Sequence, residues 1–172
     1  MLKNKIIKIV ILLTTLSIAN DSIYTKIKNP IDNMDIIEGD INSSTFILPS
    51  PKGYIVILND GGGKILQLSI EDDFGKYYTV DTEVLPNVIE WRINTNREII
   101  GFIIRSTNSE LSSIKFKKPH YKSKLHVVIF NDDAELIAYE KNNVKARSLL
   151  DREYEKLVNE KLEKEEEHLV FI

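Results

Sequence analysis

The stretch LQLSIEDDFGKYYTV at residues 66–80 decides the fold. Its first five residues alternate apolar and polar side chains, which is the period of a half-buried β-strand. The acidic turn DDFG follows at residues 72–75, and a second strand-like run returns through residues 76–80. Because two such runs joined by a short turn containing glycine are typical of a β-hairpin, this stretch predicts antiparallel β-structure.

The same texture continues on both sides of this hairpin. Short apolar or alternating runs recur between turn segments such as NDGGG at residues 59–63, which is better suited to a hairpin turn than to a phosphate-binding loop. Residues 99–104 are almost continuously apolar, which predicts a central strand covered on both faces. The pattern predicts an all-β fold over residues 45–142, an antiparallel β-sandwich of jelly-roll type. The predicted strands are 45–48, 54–58, 64–70, 76–80, 88–93, 99–104, 114–117, 125–130 and 134–139.

The pattern changes after the last of these strands. Residues 144–167 consist of good helix formers and contain neither glycine nor proline. We therefore predict a charged C-terminal helix and tail at residues 143–172, either docked on the sandwich or projecting towards a partner. A narrow apolar stripe at helical spacing comprises Leu150, Tyr154, Leu157, Val158 and Leu162.

The N-terminus follows the pattern of an export signal. Lys3 and Lys5 precede a mostly apolar run at residues 9–18, and small residues stand at −3 and −1 of a cleavage point before Asn20. The run is shorter than the roughly 20 apolar residues that a membrane-spanning helix needs. We therefore predict a signal peptide at residues 1–19, a periplasmic or secreted location, and no membrane span after cleavage. The alternative is a buried N-terminal element of a cytosolic domain.

The composition narrows the classes of partner. The 172 residues suit one domain, preceded by an extended arm at residues 20–44 with one short strand near residues 23–27. The formal net charge is −3, and loss of a leader holding three lysines and no acids would make it −6. Because an acidic protein gains no counterion release from polyphosphate, nucleic acid is not an expected partner. The absence of cysteine excludes disulfides, thiolate metal sites and a cysteine nucleophile.

The sequence contains no catalytic signature, and we expect neither enzymatic activity nor a cofactor. It has no GxSxG motif, and its three histidines form no close ligand pair. His126 stands among apolar residues, which favours a hydrogen-bonded histidine within a sheet over a metal ligand. One enzymatic hypothesis stays open, an exported hydrolase whose two catalytic carboxylates are distant in sequence and adjacent only in the folded protein.

Acidic residues near the central hairpin are candidate calcium ligands. Asp72, Asp73 and Asp81 could supply the oxygen ligands that calcium prefers. Their spacing matches no EF-hand loop, so a solvated acidic turn is the alternative interpretation.

Exposed aromatic and apolar side chains are candidate contact residues. Trp91 shares a strand face with Ile89 and Ile93, which predicts a core position instead. Tyr77 and Tyr78 point to opposite faces of one strand, so at most one of them belongs to the core. The candidate contact residues are Tyr78, Tyr121 and Lys122, the last two in a basic cluster at residues 117–124, and Leu157 and Leu162 on the helix.

Residues 66–104 resemble a known class of domain. The hairpin at residues 66–78, the tryptophan strand at 88–93 and the apolar strand at 99–104 follow one another in the order of galactose-binding-like jelly-roll domains. Among these, the chain is similar to the sheath, or outer-layer, proteins of periplasmic flagellar filaments. The resemblance implies an exported, non-catalytic β-sandwich.

Two functional hypotheses follow. The first is an exported, non-catalytic β-sandwich that acts through protein–protein contacts or self-association, as a flagellar filament sheath or surface-assembly component. The alternative is a carbohydrate-binding module of the galactose-binding-like class. In such a module, tyrosines outside the core would form the platform for a sugar ring.

Overall fold

A computed structural model describes residues 20–28, 36–39, 44–110 and 120–170. The predicted signal peptide and the predicted strand at residues 114–117 lie outside this part of the chain. The described elements are β1 (Asp21–Lys26), β2 (Ile36–Gly39), β3 (Ser44–Leu48), β4 (Tyr54–Asp60), β5 (Leu66–Asp72), β6 (Tyr77–Thr82), β7 (Val88–Ile93), β8 (Ile99–Glu110), β9 (His120–Phe130), β10 (Ala134–Glu140) and α1 (Asn143–Val170).

The described strands form two five-stranded sheets. Sheet A has the order β1-β7-β8-β9-β10, and sheet B has the order β2-β3-β4-β5-β6. Every neighbouring pair is antiparallel. The chain passes from sheet A to sheet B after β1 and returns after β6. The predicted all-β sandwich with a C-terminal helix is therefore confirmed.

The stretch that predicts the fold forms a hairpin in sheet B. β5 and β6 pair with each other in a register that places Leu68 opposite Val80 and Ile70 opposite Tyr78. The Asp72 Oδ1 atom accepts hydrogen bonds from the amides of Phe74 and Lys76, each at 2.9 Å. These bonds satisfy the backbone of the turn, which is why aspartate suits its first position.

The main core lies between the two sheets. Trp91 and Phe102 are completely buried there, with ring centroids 5.8 Å apart, and the Tyr54 ring lies 5.1 Å from Trp91. The indole of Trp91 donates a hydrogen bond to the Thr25 Oγ1 atom at 3.0 Å. The predicted core position of Trp91 is confirmed.

A second core separates sheet A from α1. Phe102 and Ile104 of β8 face sheet B, whereas Ile100 and Ile103 face the helix. The central strand at residues 99–104 is thus covered on both faces, as its continuous apolar run predicts. The molecule has three layers, sheet B, sheet A and α1. On the helix side the buried cluster comprises Ile100, Ile103, Leu125, Val127, Ala146 and Leu150.

The N-terminal segment contributes to both sheets. Where the sequence predicts one short strand within residues 20–44, the structure has β1 and β2. β1 pairs with β7 and β2 pairs with β3, and each is the edge strand of its sheet. β2 has only four residues, too few for alternation to distinguish it from a loop.

Candidate contact surfaces

The first half of α1 is fixed to the outer face of sheet A. The Asn142 Oδ1 atom accepts hydrogen bonds from the amides of Val144 and Lys145, at 2.8 and 3.3 Å. These bonds satisfy amide groups that have no partner within the helix, so Asn142 is an N-cap. Ala146 and Leu150, one turn apart, are then completely buried against the sheet.

Two buried charges of β7 tie this half of the helix to the sheet. Glu90 and Arg92 are only 3% and 5% exposed, although they lie on the outer face of sheet A. Arg147 donates to both carboxylate oxygens of Glu90, at 2.5 and 3.1 Å. Arg92 donates to both carboxylate oxygens of Asp151, at 3.1 and 2.6 Å. The hydrogen bond to Glu90 raises the pKa of Arg147 above its usual value.

The edge strand β1 joins the same polar cluster. The Ser22 hydroxyl donates to Glu90 at 2.6 Å and accepts from Arg92 at 2.6 Å. The carbonyl of Asn20 accepts from Arg92 at 2.8 Å, and its side-chain amide donates to Asp151 at 3.1 Å. Buried charges are tolerated only when paired and hydrogen-bonded, and here each one is. We call these residues the helix clamp: Asn20, Ser22, Glu90, Arg92, Arg147 and Asp151.

The helix clamp is a feature that sequence analysis missed. Glu90 and Arg92 alternate with the core residues of β7, so alternation alone places them on a solvated face. Their partners stand more than 50 residues later, four apart on a helix, where Arg147 and Asp151 resemble ordinary surface charges. Only the docked helix shows that the face is buried.

The second half of α1 extends beyond the sheet. The hydroxyl of Tyr154 accepts a hydrogen bond from the Asn94 side chain at 3.0 Å. Beyond it, Leu157 is half-buried, Val158 is 36% exposed and Leu162 is 53% exposed. Residues 155–170 span about 24 Å at 1.5 Å per residue. Of the two predicted helix contact residues, Leu162 is open to solvent and Leu157 is half covered.

The outer face of sheet B also carries exposed apolar side chains, which stand among polar side chains of the same strands. Ile47 of β3 and Ile55 of β4 are 46% and 45% exposed, and Tyr77 of β6 is 64% exposed. The register places Ile47 opposite Ile57, and it brings Ile55 and Tyr77 to the two sides of Glu71. This face is on the opposite side of the sandwich from α1, because sheet A separates the two.

The predicted contact residue Tyr78 faces the interior instead. Its hydroxyl is 3.0 Å from the Nδ1 atom of His126, whose Nε2 atom is 2.8 Å from the Ser106 hydroxyl. Burial, with a smaller effect of the neighbouring Tyr139, raises the pKa of Tyr78 to about 12. Burial, with a smaller effect of Lys124, lowers the pKa of His126 to about 4. His126 is therefore the hydrogen-bonded sheet histidine that the sequence favours.

Tyr77 and Tyr121, two of the exposed tyrosines, do not converge. Tyr121 is 51% exposed on β9 of sheet A, beside the exposed Lys122, whereas Tyr77 belongs to sheet B. The two rings lie on different sheets, so they do not form one platform. The Tyr139 ring on β10 is covered by the Lys124 ammonium, 3.5 Å from its centroid.

The three candidate calcium ligands do not come together. Asp72 and Asp73 lie in the β5–β6 turn, whereas Asp81 on β6 accepts a hydrogen bond from Gln67 at 3.3 Å. Gln67 and Asp72 are five residues apart on β5, which is about 16 Å along a strand. Within the described part of the chain, no group of three or more potential metal ligands is present.

Comparison with protein-family models, curated protein sequences and solved structures found no match. Among the described residues, no helix has both the length and the apolar character needed to cross a bilayer.

Proposed function

We propose that the protein is an exported, non-catalytic β-sandwich that acts through protein–protein contacts, as a component of a filament sheath or another surface assembly. One observation carries the proposal. The helix clamp and the second core fix the first half of α1, while the second half projects with Val158 and Leu162 exposed. A partner that packs against this half would remove Val158 and Leu162 from water, which is the contribution that an exposed apolar stripe can make to binding.

The outer face of sheet B suggests how copies of the protein could contact one another. A charged helix with an exposed apolar stripe and a sheet face with exposed apolar side chains lie on opposite sides of one molecule. If the helix of one copy packs on sheet B of the next, the contact is head-to-tail. Repeated copies of such an interface form a ring if the rotation between neighbouring copies closes, and they form a filament if it does not.

The experiment places charges on the helix. In the double variant Leu157→Glu and Leu162→Glu, two carboxylates would be buried without partners in any interface, so association should be lost. The matched control is Arg152→Gln with Asn159→Glu, which adds the same charge on the other side of the helix. Size-exclusion chromatography with light scattering, over a range of protein concentrations, measures self-association. Cosedimentation with purified periplasmic filaments measures binding to a different partner.

The wild-type protein and the control should associate in at least one assay, and the double variant in neither. The proposal fails if the wild-type protein is monomeric and unbound in both assays, or if all three proteins behave alike. A head-to-tail contact makes a further demand, since a sheet-B variant, Ile47→Lys with Ile55→Lys, should also fail to self-associate. Mixed with the helix variant, it should form only a one-to-one complex, because each supplies the surface that the other lacks.

A further inference from the structure

A small pocket opens on the outer face of sheet A, beside the start of α1. Its volume is about 210 Å³. The connection between β6 and β7 forms one side, with Val84, Leu85, Pro86 and the polar Asn87, and β7 contributes Val88. Arg105 and Thr107 of β8 line the pocket as well. A pocket of this size suits a small branched or short-chain group.

Arg105 is the one charged residue among those that line the pocket. Its two terminal nitrogens donate to the Ser123 hydroxyl at 3.1 Å and to the Asn143 side-chain oxygen at 3.3 Å. Both acceptors are neutral, and no carboxylate of the described residues forms an ion pair with Arg105. A guanidinium has five N–H donors, so donors remain for another acceptor. On the same side of sheet A, Arg92 of β7 and Arg147 of α1 each hold a carboxylate.

We propose that this pocket binds a carboxylate attached to a small apolar group. The carboxylate pairs with the Arg105 guanidinium, and the apolar group lies against Val84, Leu85 and Val88. The apolar walls and the single cation favour a carboxylate over a phosphate, which would need several donors for its charge. Either a free short-chain acid or the C-terminus of a peptide has this chemistry. The site goes beyond the contact function proposed above and does not depend on it.

The test is an NMR titration of the isotopically labelled protein with four probes. Hexanoate represents the free acid, and hexanamide is its neutral counterpart. N-acetyl-glycyl-leucine represents a chain terminus, and its C-terminal amide is the neutral counterpart. At least one acid should saturably shift the amide signals of residues 84, 85, 87, 88 and 105–107, since Pro86 has no amide proton. Its neutral counterpart should bind at least about tenfold more weakly, because it loses a charge-assisted hydrogen bond. The acid that binds more tightly identifies the source.

Three variants locate the binding. Arg105→Gln should weaken acid binding about tenfold or more, whereas Arg152→Gln, an exposed arginine on the helix, should leave it unchanged. Val88→Phe fills the pocket at a partly exposed position and leaves Arg105 in place, so it tests the site even if Arg105→Gln folds poorly. The proposal is overturned if neither acid binds, if the neutral probes bind equally well, or if both Arg105→Gln and Val88→Phe bind as the wild-type protein does.

Discussion

His126 shows how one buried side chain can make stability depend on pH. Both of its ring nitrogens lie within hydrogen-bond distance of hydroxyls, those of Tyr78 and Ser106. A neutral imidazole can donate from one nitrogen and accept at the other, so it suits this pair of hydroxyls without a counter-ion. An imidazolium could still donate to both hydroxyl oxygens, but it would carry a charge into the space between the sheets, which burial disfavours. Burial accordingly holds the pKa of His126 near 4 in the folded protein, below its ordinary 6.5.

We therefore expect the free energy of unfolding to decrease as the pH falls from about 6.5 to about 4. In this window the unfolded chain binds a proton at His126 that the folded chain does not, so acid favours unfolding. The loss should be on the order of 2 kcal/mol from this residue. Urea denaturation at a series of pH values measures it, and NMR titration of the ring gives the pKa directly.

The His126→Gln variant serves as the comparison for this prediction. It should be less stable at every pH, but the difference from the wild-type protein should shrink as the pH falls through the window. A constant difference between the two proteins from pH 6.5 to pH 4 would show that His126 does not titrate as described.

At the scale of the elements, the packing of α1 depends on a glycine in β8. A Cβ atom at Gly101 would lie 2.2 Å from the Val128 carbonyl oxygen and 3.0 Å from the Leu150 Cδ1 atom. Strand β9 and the helix thus both approach the space that a side chain would take. Glycine costs stability in a strand interior, and this close approach explains why it is here.

Replacing this glycine should loosen the helix from the sheet. Gly101→Ala should reduce the free energy of unfolding by about 3 kcal/mol, at the upper end for overpacking, because one contact is with backbone that cannot rotate away. Chemical denaturation measures the change. Gly61→Ala is the matched control, since a Cβ atom there meets nothing within 4 Å. Equal stability of the two variants would contradict the close packing.

The same element shows what a sequence can and cannot predict. The strand at residues 99–104 is predictable because a continuous apolar run is a local signal of burial on both faces. The hairpin at residues 66–80 is predictable from alternation and turn chemistry for the same reason. The site where α1 docks is different, because Gly101 and Ala146 matter by being small. Small size has no periodicity, and the fit appears only when two distant segments meet. The helix clamp cannot be predicted from the sequence either, because its residues also come together only when distant segments meet.

At the scale of the whole molecule, the two outer faces are unequal. The outer face of sheet A has a covering helix, whereas that of sheet B leaves Ile47 and Ile55 exposed. The helix itself is divided, since its first half packs on sheet A and its second half extends beyond it. The sequence leaves open whether the helix docks or projects, and the structure has one half doing each. The apolar stripe has the same spacing along both halves of the helix, so it cannot indicate where the docked half ends. That point depends on where the sheet ends.

Two truncations separate the roles of these halves. Deletion of residues 155–172 removes the projecting half and keeps the helix clamp, so the melting temperature should change by only a few degrees, corresponding to about 1 kcal/mol. Deletion of residues 143–172 uncovers Ile100, Ile103, Leu125 and Val127 and leaves Glu90 without Arg147. At about 1.5 kcal/mol for each uncovered side chain, the loss is about 6 kcal/mol, comparable to the whole stability of many domains. The longer deletion should therefore give an unfolded or aggregated protein, as seen by circular dichroism and light scattering.

If both truncated proteins melt at the wild-type temperature, α1 is not a structural layer. If the shorter deletion alone unfolds the protein, the second half does not project freely, and the proposed contact role of the helix is wrong.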